Sequence, residues 1–264
     1  MLEIKNIYKT FNKGTINEKT ALKGVSLTLN DGDFVTVIGG NGAGKSTLLN
    51  AIAGTWAVDN GTIMVDGEDV TKLSEYKRAK YLGRVFQDPM NGTAATMEIQ
   101  ENLALANRRG LSRTLRKGIK EKEKKHYKEL LATLGLGLED RMTSKVGLLS
   151  GGQRQALTLL MATLKKPKLL LLDEHTAALD PKTAAKVLET TEMLIKRDNI
   201  TTLMITHNMR DAIAHGNRLI MMMDGRIILD ISGEEKSKLT VEDLLHKFEE
   251  ASGEEFTNDK AILG

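Results

Sequence analysis

Apolar positions along the chain switch between two periods. Residues 2–7 and 25–29 alternate apolar with polar in strand fashion, and Asp31-Gly32 supplies a turn after the second. Val35-Thr36-Val37-Ile38 reads as a buried strand running straight into a glycine-rich stretch. Ser46 to Ala53 continues as a helix stopped at Gly54. Ile63-Met64-Val65 predicts a strand that ends in the Asp66-Gly67 turn. From about Asp88 to Lys145 the period becomes helical, clearest over Met97–Leu103 and Tyr127–Leu134, which predicts an inserted helical lobe. Strand and helix then alternate again over Leu169–Leu172, Ala184–Lys196 and Thr202–Ile205. A closing hairpin pairs Arg218–Met223 with Arg226–Leu229 across Asp224-Gly225, and its Met221-Met222-Met223 run reads as core strand. One more helix is expected over Val241–Glu250, capped by Thr240. Alternating strands and helices predict an α/β core with a mainly parallel sheet.

Composition narrows the classes. A chain of 264 residues buries one substantial core with a smaller lobe attached. The longest apolar runs are strand-length, far from the roughly 20 residues of a spanning helix. Met1-Leu2-Glu3-Ile4-Lys5 lacks the apolar core of a signal peptide, so a cytosolic protein is expected. Zero cysteines exclude disulfides and thiolate metal sites. A net charge of +3 gives no argument for nucleic acid. The positive charge is uneven: Arg108 to Lys128 holds ten Lys or Arg against two Glu. A solvated helix face and a surface for anionic lipid or an acidic partner both fit that run.

Two motifs carry chemistry. Gly39-Gly40-Asn41-Gly42-Ala43-Gly44-Lys45-Ser46 matches G-x-x-x-x-G-K-[ST] between an expected strand and an expected helix. Its glycines let backbone N–H groups of Gly39, Asn41, Gly42, Ala43 and Gly44 curl toward phosphates, and the helix that continues through Thr47 points its positive end at the same place. Lys45 reaches the β- and γ-phosphates of ATP, and the Ser46 hydroxyl suits Mg²⁺. The second motif is Leu169-Leu170-Leu171-Leu172-Asp173-Glu174, a buried strand delivering two acids at its C-terminal end, where α/β sheets bind ligands. Successive strand residues face opposite ways, which separates Asp173, suited to Mg²⁺, from Glu174, suited to polarising the attacking water.

Between them stands Leu149-Ser150-Gly151-Gly152-Gln153, a serine-capped, glycine-rich start to the helix expected over Gln153–Leu164 and a second anion site. In this order the three elements resemble the ATP-binding cassette (ABC) family, and the match runs from about Leu2 to Leu229. The resemblance implies a P-loop NTPase core of ABC type (1–87 and 146–230) with an N-terminal antiparallel β subdomain, an inserted α-helical subdomain over about 88–145 and a C-terminal helical tail over about 231–264. It makes 149–153 the signature, so that Ser150, Gly151, Gly152 and Gln153 would clamp the γ-phosphate held by a second copy of the chain. It assigns Gln87, after the strand Gly83–Phe86, to the loop that contacts Mg²⁺ or the attacking water. Asp180 falls in the loop that crosses between subunits, and His207 matches the switch histidine on the γ-phosphate. Phe11 fits the adenine-stacking position better than Tyr8. Two residues depart from the family pattern: His175 stands where most relatives have Pro, and Gly40 replaces a common Pro or Ser.

The resemblance further implies an ATPase subunit, using ATP and Mg²⁺, that pairs with a second copy of itself and docks transmembrane permease subunits from the cytoplasmic side. Among relatives it is most similar to subunits of bacterial binding-protein-dependent importers, some associated with amino acids, which adds an extracytoplasmic substrate-binding protein as a partner. An exporter subunit and a soluble cassette ATPase acting on nucleic acid or ribosomes are the alternatives.

Overall fold

The computed structural model describes residues 1–111 and 118–252. Part of the basic run (112–117) and the end of the tail (253–264) lie outside the described residues. In chain order the elements are β1 (Leu2–Phe11), β2 (Lys19–Leu29), β3 (Phe34–Ile38), α1 (Lys45–Ala53), β4 (Asn60–Val65), β5 (Glu68–Asp69), α2 (Glu75–Arg78), β6 (Leu82–Val85), α3 (Ile99–Asn107), α4 (Glu121–Ala132), α5 (Gly151–Thr163), β7 (Leu169–Asp173), α6 (Pro181–Asp198), β8 (Thr202–Ile205), α7 (Met209–Ala214), β9 (Arg218–Met223), β10 (Arg226–Ser232), α8 (Gly233–Ser237) and α9 (Val241–Ser252).

They form two sheets. β2-β1-β4-β5 is antiparallel throughout. The larger sheet runs β10-β9-β3-β8-β7-β6, and only the β9–β10 hairpin breaks its parallel order. A strand buried on both faces needs no polar alternation, which explains the leucine run of β7. Leu169 and Leu171 face one core with α1 and the antiparallel sheet, while Leu170 and Leu172 face another built with Leu159, Leu188 and Leu194 of α5 and α6. Each buried leucine contributes ~1.5–3 kcal/mol of transfer free energy. The pairing also fixes register: Val37 pairs with Ile205, and Ile205 with Asp173. The C-terminal ends of β3, β8 and β7 therefore stand side by side.

The helical lobe is closed at its neck by main-chain bonds: Ile99 N to Ser144 O and Val146 N to Met97 O, both 3.0 Å, and Gly147 N to Ala95 O, 2.8 Å. Its core holds Ile99, Leu103, Tyr127, Leu131 and Leu138, and takes Leu157 and Leu160 from α5. α5 thus packs on lobe and sheet at once. In the described part of the basic run, Arg109 Nη2 donates to Ala162 O of α5 (3.0 Å), Arg108 pairs with Glu123 (3.3 Å) and the exposed Lys128 with Asp140 (3.1 Å). Among the described residues, no helix is long and apolar enough to cross a membrane.

Several boundaries differ from the sequence reading. β1 runs on to Phe11 because its register shifts keep it paired with β2 beyond the alternating stretch. α4 begins at Glu121, six residues before the expected apolar onset at Tyr127, because Glu123 caps it by accepting from the Lys120 amide at 2.8 Å. β6 ends at Val85, leaving Phe86 outside the strand.

Candidate functional site

The phosphate loop leaves β3 at Gly39, where only glycine fits: its φ is +147°, and a Cβ would lie 2.1 Å from the Met222 carbonyl oxygen of β9. The loop ends in α1, whose first residue Lys45 is 7% exposed. Lys45 Nζ donates to Gly39 O at 2.6 Å and Gly40 O at 3.1 Å, so the ammonium is held against the loop it serves. Burial lowers its pKa, and the charges of Glu174 and Asp173 oppose that shift. The ammonium site is poorly solvated, an environment that favours a bound anion. Phe11, Lys19, Ala21, Asn41, Gly42, Ala43, Gly44, Lys45, Ser46, Thr47 and Glu174 line a cleft of about 320 Å³ here; Tyr8 does not line it.

Asp173 is the last residue of β7, beside the cleft. Burial raises its pKa, with Arg84 as the main opposing charge. Glu174 is not on the opposite pleat, as strand alternation suggests. β7 has already ended, and Glu174 turns out of line with φ +45°. A non-glycine residue in that region costs ~1–3 kcal/mol and is retained where surrounding structure over-determines it. Here the Glu174 amide is tied to Ile205 O at 3.0 Å. The turn brings Glu174 Oε2 to 3.7 Å from His207 Nδ1, just past the end of β8. Gln87 is exposed beyond β6. Its neighbour Phe86 accepts a hydrogen bond from Gln155 Nε2 of α5 at 3.3 Å.

Ser150, Gly151, Gly152 and Gln153 do not line the cleft. Ser150 is the N-cap of α5 in a capping box: Ser150 Oγ accepts from Gln153 N (3.3 Å), and Ser150 N donates to Gln153 Oε1 (3.2 Å). Asp180 likewise caps α6, its Oδ1 accepting from Thr183 N at 3.1 Å. His175 points inward, 2% exposed, with Nε2 3.1 Å from Thr191 Oγ1. Burial first, then His215, pushes its pKa down to about 4, so it is neutral at physiological pH.

Arg84 lies in no motif, and nothing in the sequence marks it. It sits 3.8 Å from Asp173 while donating to Asn50 Oδ1 (2.8 Å) of α1 and Thr55 Oγ1 (3.1 Å), with its guanidinium 4.5 Å from the Phe86 ring centre. Lys19 and Gln155 are equally silent.

The chain is similar to known proteins over most of its length. The family model "ABC transporter" matches residues 22–177. A tyrosine transport ATP-binding protein of Clostridioides difficile is 47% identical over 95% of this chain and 100% of its own length. A bacitracin export ATP-binding protein of Halalkalibacterium halodurans is 31% identical over 91% of this chain and 92% of its own. A dimeric ATP-binding cassette solved with ADP and phosphate in a post-hydrolysis state superposes with a TM-score of 0.75 at 30% identity, covering 88% of this chain and 98% of that one. With a family model over more than half its length and a near full-length relative, this chain belongs to the ABC transporter family as an ATP-binding, ATP-hydrolysing subunit.

Proposed function

We propose that two copies of this chain close head to tail around two ATP molecules, and that closure drives a membrane-embedded permease. One observation carries the reading: the anion-binding elements are divided. The phosphate loop and Glu174 share one cleft, whereas Ser150–Gln153 open a different helix and do not line it. A two-fold axis lets each signature complete the other protomer's site.

In this reading Lys45 and the α1 N-terminus hold the phosphates, and Phe11 stacks on adenine. Glu174 takes the proton of the attacking water as its oxygen bonds to the γ-phosphorus. The β–γ bridging P–O bond breaks, and ADP leaves with the electron pair. His207 and Gln87 position the γ-phosphate and the water, and Asp180 lies at the subunit junction. The Ser46 hydroxyl and the Asp173 carboxylate are hard oxygen donors that would suit Mg²⁺ arriving on nucleotide. When bound, that ion would neutralise negative charge on the phosphates. Loss of the bridging γ-phosphate then lets the dimer open.

The permease partner places the chain on the inner face of the cell membrane. The relative named for tyrosine transport supports an amino acid as cargo, and we favour import with an extracytoplasmic binding protein. The relative named for bacitracin export supports export as the second reading.

Sedimentation of Glu174→Gln with ATP tests the dimer. The variant is expected to dimerise with ATP, and Ser150→Arg in the same background to stay monomeric; equal dimerisation of both would remove the trans site. Recovery of a multi-span protein with this chain from detergent-solubilised membranes tests the permease. A co-recovered external binding protein marks import, whereas ribosomes or DNA factors alone would move the ATPase out of transport.

A further inference from the structure

The segment that follows the phosphate-binding helix is pinned to the strand end that carries Phe11. α1 stops at the C-cap Gly54, and the amides of Thr55 and Trp56 both donate to Asn50 O of its last turns, at 3.0 and 3.3 Å. Trp56, the sole tryptophan of the chain, meets the Phe11 ring edge to face, with centroids 4.9 Å apart and planes at 80°. Three residues on, Asp59 grips β1 by main chain and side chain. Its amide donates to Tyr8 O at 2.8 Å, and its Oδ2 accepts from Thr10 N at 2.6 Å. Asp59 also pairs with Lys13 (3.2 Å) and Lys9 (3.9 Å), and Lys9 Nζ stands 5.3 Å from the Phe11 ring centre.

These contacts converge on a strand end that would otherwise fray. β1 finishes at Phe11, and Asn12 turns away with φ +52°. Backbone pairing with β2 sets the Phe11 Cα, but not the plane of its ring. An edge-to-face neighbour does set that plane, because the positive ring edge of one aromatic seeks the negative face of the other. A charge-assisted hydrogen bond from the Thr10 amide fixes the residue before it.

We infer that Trp56 and Asp59 are positioning residues that clasp Phe11 to the C-terminal end of α1, so that the base platform and the phosphate helix are held as one unit. The inference rests on the reading that Phe11 stacks on adenine. It locates nucleotide-base affinity in two residues that do not line the cleft.

The full chain is titrated calorimetrically with ATP and, separately, with inorganic tripolyphosphate, which has the phosphates but no base. Phe11→Ala should weaken ATP by at least about fivefold, the scale of one lost base–aromatic stack. Trp56→Leu and Asp59→Ala should each weaken ATP by about three- to tenfold, the scale of one aromatic pair or one net hydrogen bond. All three should bind tripolyphosphate as the parent does, and Trp56→Phe should restore ATP affinity. Parent-like ATP binding by Trp56→Leu and Asp59→Ala, with Phe11→Ala impaired, would overturn the clasp and leave the base platform standing. Unchanged ATP binding by Phe11→Ala would overturn the platform and the clasp with it. Equal losses for ATP and tripolyphosphate would also overturn it, since the residues would then serve the phosphate site or the fold.

Discussion

His207 Nδ1 stands 3.7 Å from Glu174 Oε2, and the two meet only because β7 and β8 are adjacent parallel strands. On the proposed reading they serve one γ-phosphate and one water and should behave as a unit. Glu174→Gln and His207→Ala are each expected to lower kcat by ~10²–10⁴, with ATP affinity changed by only a few-fold. The double variant should fall no lower than the worse single one, because groups serving one step are strongly non-additive. Phosphate release under saturating ATP measures this, and multiplicative losses would separate the two roles.

Gly152 and Thr183 are in contact so close that a Cβ on Gly152 would lie 2.1 Å from Thr183 Cγ2. Alanine in a free helix is favoured over glycine by about 1 kcal/mol. Here the clash reverses the sign, and Gly152→Ala is expected to lower stability by ~1–3 kcal/mol. Adding Thr183→Ser removes the offending methyl and should restore most of it, as a urea-unfolding cycle would read. The double variant also separates two roles of the signature glycine. If it is stable and binds ATP but no longer hydrolyses it, Gly152 serves a partner's nucleotide as well as its own packing against α6.

Features contiguous in the chain are legible in its sequence. Gly39–Ser46 and Leu169–Glu174 are local patterns whose chemistry depends on neighbours in sequence, and the parallel core follows from alternation of element types. Features that depend on register are not legible. Arg84 meets Asp173 because β6 lies beside β7, and Trp56 meets Phe11 because β4 returns along β1. Neither pairing leaves a periodic trace. The left-handed turn at Glu174 is also hidden, since glutamate carries no propensity for it; the surrounding sheet ends impose it. Glu123 capping α4 shows the same limit at a helix boundary, because a charged first turn masks the onset of an apolar stripe.

Arg78 is 2% exposed, and its guanidinium donates only to main-chain carbonyls: Ala51 O (2.7 Å) and Ile52 O (2.8 Å) of α1, Leu73 O and Thr71 O (both 2.9 Å). It satisfies carbonyls at the C-terminal end of the phosphate helix, where the helix dipole favours a cation. Arg78→Met should remove these donors, leaving Ala51 O with only the Gly54 amide (3.3 Å), and cost ~2–5 kcal/mol. Arg78→Lys should recover little, because a single ammonium cannot reproduce the planar fork. Chemical denaturation of both variants measures the difference, and a lysine variant as stable as the parent would refute the fork argument.

Lys236 ends in a cage of carbonyls, donating to His215 O and to Gly216 O, the latter at 2.9 Å, while only 3% exposed. Burial lowers its pKa to about 8 from 10.5, with the charge of Glu192 opposing. Between those two values the unfolded chain holds a proton that the folded chain has released, so stability should rise with pH across that window. Below pH 8 both states are protonated, and the full cost of burying the charge is present and constant. Other groups titrate in the same range, so the informative quantity is the unfolding free energy of the parent minus that of Lys236→Met, followed from pH 7 upward. That difference is expected to be flat up to about pH 8 and then to climb toward 10.5. A difference that stays level, or falls, would mean the ammonium remains charged in the folded protein and the carbonyl cage outweighs its desolvation.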